Sequence, residues 1–107
     1  MPGYVYLICD PAKDVFKIGV TRGDSEKRIH RLQTGNSTEL FVHSIYKTEY
    51  PFRLEKMLHN RFKLKRELNE WFRLDTDDVV HFKDTCKLVE SQIKSLLDNP
   101  FFTKDLR

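Results

Sequence analysis

The chain of 107 residues has only two cysteines, Cys9 and Cys86. They lie far apart and match no metal-ligand spacing, which leaves no basis for a zinc finger or a disulfide framework. Both read as reduced, small hydrophobes. No apolar run approaches the roughly 20 residues that span a bilayer, and the N-terminus lacks the pattern of a signal peptide. The expected setting is cytoplasmic or nuclear, with no membrane partner. Four glycines and four prolines are too few for a flexible linker, and we find no low-complexity stretch or internal repeat. His-Glu-x-x-His, a Gly-rich phosphate loop, Cys-x-x-Cys and Gly-x-Ser-x-Gly are all missing, so the enzyme classes built on those motifs have no foothold here.

What is present suffices for one domain over residues 1–107. A hydrophobic fraction of 39% with 12% aromatics can build a core, and regular apolar spacing argues against disorder despite 33% charged residues. The net charge of +3 is unevenly spread. Residues 1–74 hold 14 Lys/Arg against 9 Asp/Glu, whereas residues 75–107 hold 5 against 7. The first part therefore suits an anionic partner.

Gly3-Tyr4-Val5-Tyr6-Leu7-Ile8 and Phe16-Lys17-Ile18-Gly19-Val20 are short, aromatic or β-branched, and alternating. They read as two strands of a hairpin, joined by the turn chemistry of Asp10-Pro11-Ala12-Lys13-Asp14. Alternation puts Tyr4, Tyr6 and Ile8 on one face. Helix N-cap candidates in Val20 to Ser25 precede a short helix over Glu26 to Thr34, with Ile29 and Leu32 inward and Gly35 as its stop. After the polar Asn36-Ser37-Thr38, Glu39 to Thr48, with Leu40 to Tyr46 inside it, reads as a third strand. Pro51 opens a second helix, whose stripe Leu54, Met57, Leu58 and Phe62 runs to Phe62 or Leu64. Glu67 to Leu74 reads as a turn and then a short strand or irregular wall. Asp75-Thr76-Asp77-Asp78 is an acidic helix start. Val79, Phe82, Cys86, Val89, Ile93 and Leu96 then form an inward stripe over a C-terminal packing helix of about 77–98, ended by Asn99-Pro100 before a tail. The order β-β-α-β-α-(β)-α predicts a small α+β domain with a three-stranded antiparallel or mixed sheet flanked by helices.

The acid–base candidates are Tyr4, Tyr6, Lys17, Arg28, Arg31, His30, His59 and Glu55. Each alone also reads as a solvated or packed side chain, and Glu55 can simply pair with Lys56 or with His59 one turn on. Their order along the chain carries more. Tyr4-Val5-Tyr6, Lys17-Ile18-Gly19, Arg28 nine residues after Gly19, and Glu55 on a later helix together resemble the GIY-YIG nuclease superfamily. Lys17 to Thr21, Arg28 to Gly35, Leu54 to His59 and Glu70-Trp71-Phe72 are similar to a branch of small, stand-alone phage- and virus-associated domains. This resemblance covers residues 3–74. Tyr4 stands where the first triplet has glycine, Lys17 where the second has tyrosine, and Glu70-Trp71-Phe72, with Asn69 beside it, where an asparagine is common.

The resemblance implies a divalent-metal-dependent endonuclease that hydrolyses phosphodiester bonds in DNA. It implies one Mg²⁺ or Mn²⁺ held mainly by Glu55, with water and phosphate oxygens completing the shell. Arg28 would stabilise developing negative charge. Tyr6 would be the base or orient the water, with Tyr4, His30 and His59 as its rivals. A free phenol has a pKa of about 10, so a nearby cation such as Lys17 would have to lower it. Arg22, Lys27, Arg31, Arg53, Lys56, Arg61 and Lys63 form the expected phosphate-binding face. Sequence specificity would come from loops, a protein partner or a homodimer. The alternative is a non-catalytic nucleic-acid-binding or protein-interaction module on the same scaffold.

Overall fold

A computed structural model describes residues 2–23, 25–35 and 38–98. The expectations placed on Asp24, the Ser25 side chain, Asn36-Ser37, Asn99-Pro100 and the tail lie outside the described residues. The domain is α+β. Five strands form one antiparallel sheet: β1 (Gly3–Asp10), β2 (Val15–Thr21), β3 (Phe41–Thr48), β4 (Arg66–Leu68) and β5 (Trp71–Phe72), in the order β3-β1-β2-β5-β4. Among the described residues four α-helices accompany it: α1 (Ser25–Thr34), α2 (Pro51–Arg61), α3 (Thr76–Val80) and α4 (Phe82–Leu97). Among the described residues no helix is long and apolar enough to cross a membrane.

The sheet has five strands, against three and an optional fourth over Glu67 to Leu74 that the sequence leads one to expect. Of the short strand or irregular wall expected after a turn in Glu67 to Leu74, the short strand is found: it is β5, which pairs Phe16 with Phe72 and Lys17 with Trp71 and closes a tight hairpin with β4. Asn69 makes the turn with φ of 52°, a conformation that asparagine tolerates better than most residues. Asp14, with φ of 53°, does the same between β1 and β2.

Register decides which side chains meet. Leu7 lies opposite Ile18, Tyr6 opposite Gly19, and Ile8 opposite Lys17. Opposed residues share a face, so Val5, Leu7, Ile18 and Phe72 point one way. They join Leu54, Leu58, Phe82, Cys86, Val89 and Ile93 from α2 and α4 in the buried core. Tyr6, Ile8, Lys17, Gly19 and Trp71 point the other way. That second face is closed around Tyr6 and Ile8, which are wholly buried.

Pro51 opens α2 at its first position, and Thr48 Oγ1 accepts from the Tyr50 N–H at 3.1 Å. Gly3 is needed there, because a Cβ would lie 2.8 Å from the Thr21 carbonyl oxygen and 2.9 Å from Pro51 Cγ. α2 ends at Arg61, so Leu64 falls outside the stripe and is fully in solvent. Gly35 ends α1 without a left-handed backbone, since no described glycine has positive φ; its N–H still reaches the Arg31 carbonyl at 3.3 Å.

The single C-terminal helix expected over 77–98 is two helices broken at His81. Asp75 and Asp78 form a reciprocal capping box at the start of α3. Lys65 pairs with both carboxylates. The break is short, so Phe82, Cys86, Val89 and Ile93 stay in phase and buried, while Leu97 rather than Leu96 packs against the core.

Candidate functional site

Beyond Lys17, β5 no longer covers β2, and that edge of β2 is met by other groups. The Ile18 N–H donates to the Glu70 carbonyl at 3.1 Å. The Ile18 carbonyl accepts from His59 Nε2 at 2.8 Å. A carbonyl only accepts, so Nε2 carries the ring proton. The His59 ring also packs on Phe72 at 5.0 Å between centroids. His59 thus ties α2 to β2, and this nitrogen cannot serve as a base.

Four elements converge at this edge. Tyr6 from β1 lays its phenol over Gly19, where a Cβ would sit 2.2 Å from Tyr6 Oη. The glycine of Lys17-Ile18-Gly19 is therefore a space requirement. Arg28 from α1 donates Nε–H to Tyr6 Oη at 3.4 Å. Lys17 from β2 pairs through Nζ with Glu70 Oε2 at 2.7 Å and stands 5.5 Å from the centre of the Trp71 ring. Glu55 comes from α2, and its Oε2 is buried with no hydrogen-bond partner among the described residues.

The charges interlock. Burial, then the Glu70 carboxylate, push Glu55 up to about 7, while Lys17 and Arg28 pull it down. Burial also raises the Tyr6 phenol above its ordinary value. The Arg28 hydrogen bond and charge oppose that rise, and Glu70 and Glu55 add to it. Two sequence expectations change here. The cation acting on Tyr6 is Arg28, because Glu70 engages the Lys17 ammonium. The phenol is also raised rather than lowered, because desolvation outweighs the guanidinium.

The predicted site residues divide accordingly. Tyr6, Lys17, Arg28 and Glu55 come together. Tyr4 lies on the Tyr6 face, half-buried, opposite Thr21 and Lys47. His30 does not join them: it is exposed on α1 and lines a groove with Glu26, Lys27 and Arg31. Lys27 and Arg31 thus belong to the outer face of α1. Arg22 stacks over Phe52 at 4.7 Å. Lys56 and Lys63 join Phe52, Glu55, His59 and Arg66 around an open groove of about 530 Å³. Arg61 faces a different groove, beside Met57 and Val89, and Arg53 is half-buried.

Glu70, Trp71 and Arg66 were not among the predicted site residues. The Glu-Trp-Phe run was the available signal for the first two. Its strand is only two residues long, too short for alternation to say which side chain faces the site.

A hard divalent cation seeks carboxylate oxygen. The orphaned Glu55 oxygen, with Glu70 close enough to raise its pKa, fits such an ion. No cluster of three or more His, Cys, Asp or Glu able to hold a metal occurs among the described residues, so the protein would supply a sparse donor set.

The family model of the T5orf172 domain matches residues 3–90 of the chain. No curated protein matches it, and neither does any solved structure.

Proposed function

The chain belongs to the T5orf172 domain family, and from that premise we propose that it is a divalent-metal-dependent phosphodiester hydrolase of the GIY-YIG type, an endonuclease acting on DNA. The observation that carries this reading is the buried, unpartnered Glu55 oxygen beside the Arg28–Tyr6 pair and the Lys17–Glu70 pair. A module that only binds phosphate gains nothing from carboxylates at such a place, because they repel its ligand.

Glu55 is the residue that would hold the cation, with Glu70 near it. A bound Mg²⁺ or Mn²⁺ supplies charge stabilisation for the phosphate and the leaving oxygen. Arg28 commits Nε–H to Tyr6 and keeps its terminal N–H groups for negative charge that develops on phosphate. Tyr6 accepts from Arg28, so its own O–H remains to orient the attacking water. A phenol raised by burial keeps its proton at neutral pH, which favours this orienting role over that of base. Lys17 holds Glu70 in place. Lys56, Lys63 and Arg66 flank Glu55 along the groove and suit the neighbouring phosphates of a strand. A protein partner or a second copy of the chain would add sequence specificity.

The test is incubation with plasmid, single-stranded and branched DNA, with and without Mg²⁺ or Mn²⁺. Metal-dependent cleavage is expected. Glu55→Gln should abolish it while binding holds or tightens, and Arg28→Ala should slow it by about 10²–10³-fold. Wild type that binds DNA, cleaves none of it with either metal and is matched by Glu55→Gln would instead identify a nucleic-acid-binding module. Binding of either kind should weaken steeply with salt.

A further inference from the structure

The Tyr6 and Lys17 face of the sheet continues past Trp71. Asp10 and Val15 are opposed at the end of the β1–β2 hairpin, and Leu68 is opposed to Trp71 across β4 and β5. Parity along β1 and β2 puts Asp10 and Val15 on the same face as Ile8 and Lys17. Together with Lys13, Glu67 and Arg73, these residues enclose a half-open cavity of about 490 Å³, within the range of small-ligand sites. Trp71 belongs to both places: its ring lines the cavity and carries the Lys17 ammonium 5.5 Å from its centre.

The cavity is a built one. Asp10 is 1% exposed, and its carboxylate is pinned by Thr38 Oγ1 at 2.7 Å and the Lys13 N–H at 3.4 Å. Arg73 Nε donates to Glu67 Oε2 at 3.1 Å on the rim. Two carboxylates offset two cations, so the cavity does not attract an anion as the groove beside Glu55 does. It offers an aromatic surface ringed by both donors and acceptors. That combination suits a neutral, planar heteroaromatic group with donors and acceptors on its edge.

We propose that this cavity receives an unpaired nucleobase adjacent to the phosphate that is cut, stacked on Trp71. The proposal rests on the hydrolase reading above and extends it to a substrate class. A base inside a duplex is already stacked on both sides and cannot enter a cavity on a sheet face, so the preferred substrate carries an unpaired or extruded nucleotide at the cut. Trp71 then links recognition to chemistry through Lys17, which holds Glu70.

Trp71 is the single tryptophan of the chain, so its fluorescence reports on the cavity directly. The intact protein is titrated in EDTA with a short single-stranded oligonucleotide and with an abasic strand of equal length. Fluorescence and anisotropy are read together, and cleavage is read separately on a gel with Mg²⁺ or Mn²⁺. The base-bearing strand should quench Trp71 and bind roughly 5–150-fold more tightly than the abasic one, the range expected for stacking one base. Trp71→Leu should erase that difference between the two strands. Equal affinity for both strands, or equal quenching by both, overturns the proposal. Should Trp71→Leu fail to fold, the wild-type comparison decides alone. Cleavage without base-dependent quenching removes the cavity's role and keeps the hydrolase. Base-dependent quenching without cleavage keeps the cavity and removes the hydrolase.

Discussion

Glu55→Gln should make the metal-free protein more stable at alkaline pH. The folded domain holds the Glu55 proton more tightly than the unfolded chain does, since burial and Glu70 lift its pKa from 4.5 to about 7. The raised value means that ionisation is disfavoured in the fold. Its contribution to stability is therefore fully present below 4.5 and is lost as pH climbs through about 7. At about 1.4 kcal/mol per pH unit, the interval sets a ceiling of about 3 kcal/mol. Glu55 keeps a flank in solvent, and screening there brings the expected penalty to about 1–2 kcal/mol. Glutamine keeps the shape and drops the charge. Melts in EDTA should place Glu55→Gln about 5–10 °C above wild type at about pH 8.5, and close to it at about pH 4. A cation bound by Glu55 should reverse the order: at a hundred times its Kd it adds about 2.7 kcal/mol to wild type and nothing to the variant. A variant no more stable than wild type at alkaline pH would refute the burial argument. Equal gains from Mg²⁺ or Mn²⁺ in both proteins would refute the role of Glu55 as ligand.

Gly19→Ala places a methyl group where Tyr6 Oη lies, so it should separate the phenol from Arg28 and lower cleavage while leaving nucleic-acid affinity intact, as gel and anisotropy assays would show. Ile93→Ala, at a wholly buried position of α4, should cost about 2–5 kcal/mol in a denaturant melt without changing metal affinity. His59→Ala should cost about 1–3 kcal/mol by leaving the Ile18 carbonyl unpaired; since its Nε2 is a donor to the backbone, the pH profile of residual cleavage should keep its shape.

The parts of the fold legible in the sequence were those with enough residues to show a period. β1 and β2 alternate over long runs, and α2 and α4 carry apolar stripes, so their places and inward faces were readable. β4 and β5 have three and two residues, below the length at which alternation means anything. A turn and one short strand were readable over Glu67 to Leu74, but not that two strands pair there. The break at His81 was hidden because apolar spacing of three and four residues continues across it. At the site, Tyr6, Lys17, Arg28 and Glu55 were identified by motif order, but motif order carries no partners. Nothing in one dimension shows that Lys17 is engaged by Glu70, that Arg28 is the cation on Tyr6, or that desolvation wins at the phenol. Those outcomes depend on register and burial, which arise only when the strands pair.

The seal that α2 places on β2 has a further consequence. A strand with bare amide and carbonyl groups is a template on which other chains can assemble. Here the helix that guards that strand also carries Glu55, so shielding and chemistry share one lever. A lesion that loosens α2, at Leu54 or His59 for instance, exposes an adhesive backbone and displaces the carboxylate in one motion. Inactive variants of this kind should turn up in the insoluble fraction, and a plate screen for soluble expression would double as a screen for an assembled site.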